Sequence, residues 1–73
     1  MIATESKYPP EIRALDEIFQ KEETVQNELA LEKAKLKYYR DQLRERPDDA
    51  DLKRHVQYHE SEVARLEALV RIA

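Results

Sequence analysis

The sequence predicts an all-α fold, an antiparallel two-helix hairpin with coiled-coil-like packing, and three observations lead there. The chain has no glycine and 40% charged residues, a composition that suits long regular helices. Its apolar residues recur at three- and four-residue steps, the helical period. They also recur symmetrically about Pro47: Val25, Leu29, Leu36, Tyr39 and Leu43 upstream, Leu52, Val56, Val63, Leu66 and Val70 downstream. Folding the chain at Arg46-Pro47-Asp48 brings Leu43 to Leu52, Tyr39 to Val56, Leu29 to Leu66 and Val25 to Val70. Leu36 with His59 and Glu32 with Val63 fill the layers between. Every pair adds to the same residue number, so one antiparallel register serves the whole seam.

Residues 1–9 carry no periodicity and are expected as a flexible arm. Pro9-Pro10 ends it, because Tyr8 precedes a proline and is biased away from helical angles, while proline is well accepted in a first turn. The first helix is expected over 10–45. Residues 20–24 are weakly patterned and are the one place where it could break, and a break there would let its start fold back as a short third helix. Pro47 stops the helix, since it lacks an amide hydrogen and clashes with the preceding turn. The turn takes 46–48, with Asp48 able to cap the second helix over 49–73.

Flanking charges bias this register. Lys35 is expected near Glu62 and Lys33 near Glu60, whereas Arg40 opposite Lys53 is unfavourable; exposed pairs of this kind contribute only ~0–1 kcal/mol. Charge is also segregated along the chain. Residues 11–32 hold seven acids against two bases, a local −5, and residues 33–46 hold six bases against two acids, a local +4. Acid early and base late complements the dipole of a long helix.

Helix one outruns helix two, and the overhang carries Ile12, Leu15, Ile18 and Phe19. Left in water, these four form an apolar patch of the kind that marks an interaction surface. A single seam is also thin, and Leu31, Tyr38, Leu69 and Ile72 lie off it. The expectation is therefore a homodimer, an antiparallel four-helix bundle.

Chemistry-bearing constellations are sparse. There is no cysteine, hence no disulfide, thiolate nucleophile or cysteine zinc site. His55 and His59 stand one helical turn apart, but no HExxH pattern surrounds them, and no metal or cofactor is assigned. Glu32 occupies an inward position in the layer next to His59. A buried carboxylate needs a partner, so a Glu32–His59 pair across the seam could fix the register. Lys33, Lys37, Arg40 and Arg44 line one helical face, which could track an acidic partner or a phosphate backbone. Asp41 and Glu45 interrupt that stripe, and a net charge of −3 argues against a general nucleic-acid binder.

Catalysis has no support, because no nucleophile comes with a shaped pocket. Residues 1–6 lack the basic start and apolar stretch of a signal peptide, and no apolar run reaches the ~20 residues that cross a bilayer. The expected address is cytoplasmic. The expected function is that of a small non-enzymatic protein–protein interaction module, a regulator or inhibitor of a larger assembly such as a bacterium or phage makes. It would bind through the arm with Tyr8 and through Ile12, Leu15, Ile18 and Phe19. Two rivals are a structural oligomerisation or chaperone-like subunit and a nucleic-acid accessory protein using the basic stripe.

Overall fold

The computed structural model describes residues 7–72, and these are all-helical apart from short connections. The arm expected over 1–9 lies outside the described residues as far as Ser6. Three helices follow in order: α1 Pro10–Lys21, α2 Val25–Glu45 and α3 Ala50–Ile72.

The single helix expected over 10–45 is thus two, a correction with a local cause. α1 opens where expected, with Pro9 as its cap and Pro10 in its first turn. The Pro9 carbonyl accepts from Ile12 and Arg13 N–H at 3.1 and 3.2 Å. At its other end Glu22 turns extended, at φ −141° and ψ 100°. Thr24 then caps α2, its side-chain oxygen accepting from Asn27 N–H at 3.1 Å. The Asn27 side-chain amide reaches back and donates to the Glu22 carbonyl at 2.9 Å. Helix propensity alone would carry the chain through, but Thr24 and Asn27 together satisfy the backbone groups that a break exposes.

The second turn follows Pro47, with one shift. Asp49, not Asp48, is the cap: its carboxylate accepts from Leu52 N–H at 3.0 Å and its carbonyl from Lys53 N–H at 3.1 Å. Accordingly α3 starts at Ala50.

α2 is the centre of the molecule. α3 packs along it in the antiparallel sense, Arg65 lying 3.8 Å from Glu28 at one end and Arg40 2.9 Å from Glu60 further up. Leu36, Tyr39, Leu52 and Val56 form the core between them, with Tyr8, Tyr38, Leu43 and Val63 packed at its edge. Leu66 is the most deeply buried side chain.

α1 folds back on α2, so the expected four-residue overhang does not exist as drawn. Ile12 is buried, Leu15 and Phe19 are half-buried, and only Ile18 stands out, 49% exposed. Leu31 and Tyr38, which lie off the α2–α3 seam, are used here. Leu31 is buried and shares a helical face with Ala34 and Tyr38, which line a groove together with Ile12 and Leu15. Lone apolar positions between two seams are the sequence trace of a helix packed on both sides.

α1 and α3 have no Cα atoms within 8 Å of each other. The three helices therefore form one layer, 38 × 35 × 16 Å, with a radius of gyration of 13.3 Å. A compact domain of this length would have about 11 Å.

Candidate functional site

An aromatic and imidazole cluster forms where α2, α3 and the segment before α1 converge on Tyr39. Tyr39 extends from α2 and stacks on His55 of α3, ring centroids 4.3 Å apart and planes 7° from parallel. One turn on, His59 lies 5.4 Å away at 8°. The helical period makes this possible, since residues four apart share a face. Tyr38 and Tyr8 meet Tyr39 edge-on, at 5.2 and 6.1 Å, and each other at 5.3 Å. Edge-to-face rings set the positive rim of one against the negative face of the next.

Polar contacts tie the segment before α1 into this cluster. The Tyr8 and Tyr39 hydroxyls share a hydrogen bond at 3.0 Å, and Tyr38 donates its hydroxyl proton to the Lys7 carbonyl at 3.2 Å. Lys35 Nζ stands over the Tyr8 ring at 5.3 Å, and Lys7 Nζ over Tyr39 at 5.4 Å, both within cation–π range. Burial and then the hydrogen bond with Tyr39 push the Tyr8 phenol well above its ordinary range. Tyr8, expected as a partner contact on a flexible arm, is thus packed against the protein's own core.

Below the cluster, His59 Nδ1 lies 2.5 Å from Glu32 Oε1. One proton is shared in this contact, the imidazole Nδ1 and the carboxyl oxygen each being able to carry it. Both side chains are nearly out of water, 7% and 12% exposed. His55 takes no part in this contact and instead faces Tyr39. Among the described residues no group of three or more His, Cys, Asp or Glu could hold a metal ion.

The basic stripe is intact as a surface and compensated as a charge. Lys33, Lys37, Arg40 and Arg44 line one open groove with Leu36 and Val63. Each of the four has a carboxylate beside it: Lys33 with Glu67 at 3.4 Å, Lys37 with Asp41 at 3.0 Å, Arg40 with Glu60 at 2.9 Å, and Arg44 with Asp41 at 3.3 Å. The Lys37 hydrogen bond, helped by Arg44, holds the Asp41 carboxyl below its usual range. Two expected pairs are replaced here. Glu60 goes to Arg40 rather than Lys33, which relieves the Arg40–Lys53 opposition, and Lys35 turns to Tyr8 rather than Glu62. Glu62 is held by Arg65 at 2.8 Å.

The remaining feature is apolar. α1 ends where α2 begins, and α3 ends there too, since Leu29 shares a groove with Glu67, Val70 and Arg71. Ile18 on α1 and Leu69 and Ile72 on α3 are exposed, Ile72 at 82%, and α2 stands between Ile18 and the other two. The contact surface expected from the sequence is the arm with Tyr8 and Ile12, Leu15, Ile18 and Phe19, with Lys33, Lys37, Arg40 and Arg44 as a possible basic face, and it does not include Leu69 or Ile72. No described helix is long and apolar enough to cross a membrane. Comparison with protein families, with characterised proteins and with solved structures finds no match to this chain.

Proposed function

We propose that this chain works by binding, as a small non-enzymatic protein–protein interaction module that docks on a larger assembly. The observation that carries the reading is the exposure of Ile18 on α1 and of Leu69 and Ile72 on α3, in a layer only 16 Å thick. A layer with α1 and α3 apart leaves apolar side chains that its own fold does not cover, and exposed apolar surface favours association. The grooves between the helices are open and lined by charged and apolar residues alike, a poor setting for substrate chemistry. A regulator or inhibitor of an assembly is the concrete form of this reading. Tyr8 and Ile12 are engaged internally, so the reading rests on the exposed side chains instead.

The test is affinity capture from source-cell lysate, with nuclease treatment, using wild type and an Ile18→Asp, Leu69→Asp variant. Both substitutions fall on exposed positions, so helix content by circular dichroism should stay the same. The reading expects a protein that survives nuclease and is lost in the variant. A captured set unchanged by the substitutions would sink it.

A second reading is a structural oligomer whose apolar surface is used by another copy of itself, and the thin layer favours this too. Capture of the chain alone would point there. The nucleic-acid reading loses ground, because every base of the stripe has a carboxylate within 4 Å and so less free charge with which to displace counterions.

A further inference from the structure

We infer that one face of α3 pairs with itself: a second copy of this chain lays its own α3 on it, antiparallel and in one register. The fold leaves that face open. α3 gives Leu52, Val56, His59, Val63, Leu66 and Val70 to its seam with α2, at alternating steps of four and three. One residue back, and so about 100° round the helix, a second stripe keeps the same alternation: His55, Tyr58, Glu62, Arg65, Leu69 and Ile72. A helix with two such stripes can pack on two neighbours. Within the chain α3 has one, since no Cα of α1 lies within 8 Å of it. Of the four large hydrophobic side chains exposed among the described residues, Tyr58, Leu69 and Ile72 stand on this stripe.

The order of residues along the stripe selects a second copy as its occupant. Apolar and ring side chains lie toward both ends, and the Glu62–Arg65 pair, 2.8 Å apart, sits between them. Laid antiparallel, Tyr58 of each copy meets Leu69 of the other, His55 meets Ile72, and Glu62 meets Arg65. Every pair adds to the same residue number, so the two-fold axis passes between Glu62 and Arg65. Four charges gather there, alternating in sign.

Other arrangements lose this match. A slip of seven residues in either direction sets Arg65 on Leu69 or Glu62 on Tyr58. A parallel pair faces every residue with its own copy, putting Glu62 on Glu62 and Arg65 on Arg65. Like charges so placed reject that partner, which is how charge patterns fix orientation.

This dimer gives the oligomer reading a definite surface and needs no foreign partner. It covers Leu69 and Ile72 and leaves Ile18 on α1 open to a larger assembly. The two readings fail separately, because the dimer is measured on the purified chain and docking by capture from lysate.

From Tyr58 to Ile72 the stripe is about 21 Å long, a small interface, so the dimer is weak. The experiment is sedimentation equilibrium of the purified chain from about 10 μM to about 1 mM. Wild type should pass from monomer to dimer over that range. Glu62→Arg sets arginine on arginine and Arg65→Glu sets glutamate on glutamate, and each should raise the midpoint concentration by about tenfold or more. Mixed in equal amounts, the two variants bring opposite charges together again and should pair near the wild-type midpoint. Circular dichroism should show the same helix content throughout.

A second measurement needs no substitution. In a dimer mixed from isotope-labelled and unlabelled wild-type chains, Tyr58 ring protons should contact Leu69 methyl groups. On one helix these residues stand about 16 Å apart, so only a second copy brings them together. A wild type monomeric at every concentration, a dimer without that contact, or a midpoint unmoved by both charge reversals at constant helix content would overturn the inference.

Discussion

His59 Nδ1 and Glu32 Oε1 lie 2.5 Å apart across the α2–α3 seam, with both side chains almost fully buried. Removing one partner strands the other in a low-dielectric site, whereas removing both strands neither. His59→Leu alone should therefore destabilise by about 2–4 kcal/mol, and Glu32→Leu with His59→Leu should recover most of that loss. For a domain this short, about 1 kcal/mol moves the melting temperature by roughly 4–8 °C. Urea and thermal unfolding of the two single variants and the double variant measure the coupling directly. Additive losses would show that the pair does not act as a unit.

Glu32 and His59 occupy neighbouring inward positions in the apolar pattern, so the pattern itself carries their proximity. The all-helical architecture is equally plain, because a glycine-free chain with a 3.6-residue period has few other solutions. The hinge was harder to see. Residues 22–24 contain no helix breaker, and the break depends on Thr24 and Asn27 satisfying exposed backbone groups, a local effect of about 1 kcal/mol each that propensity can outweigh. Tyr8 was hidden for a different reason. Its place is set by Tyr38 and Tyr39, thirty residues on, and becomes available only after α1 has turned back. The compensation of the basic stripe is also a tertiary result in part, since Glu60 and Glu67 come from α3.

Tyr8 gives a pH prediction. Its phenol is pushed above its ordinary range by burial and by Tyr39, so the folded state holds that proton more tightly than the unfolded chain. Between the ordinary tyrosine value of about 10 and the raised folded value, the unfolded state binds fewer protons, and stability falls as pH rises. Below about pH 10 this contribution is fully present. Tyr8→Phe removes the titrating group, and its loss of stability from pH 9 to 11 should be shallower than that of wild type, as read by urea midpoints. Parallel curves would assign the alkaline loss to other groups.

Asp49 tests the α3 start. Its carboxylate accepts from Leu52 N–H at 3.0 Å, and among the described residues no other side chain caps that end. Asp49→Ala should destabilise by about 1 kcal/mol, and Asp48→Ala by much less. Thermal melts of the two variants distinguish the residues. Equal effects would mean that the charge near the helix start matters rather than the cap itself.

Ile12 is the only fully buried residue of α1, so the folded-back position of that helix rests on one apolar anchor and the Tyr8 contacts. Ile12→Ala removes much of the anchor, a change of about 2–4 kcal/mol at a buried site. The loss should be local. Because α1 touches only α2, its release leaves Leu36, Tyr39, Leu52 and Val56 together, and sub-global opening of such a unit is the expected response. Amide hydrogen exchange should rise by about tenfold or more over 12–21 in Ile12→Ala. Exchange over 36–43 and 52–66 should change little. Uniform acceleration across all three helices would instead mean that α1 and the α2–α3 pair unfold as one cooperative body, and that the edge helix is as necessary to the fold as the central seam.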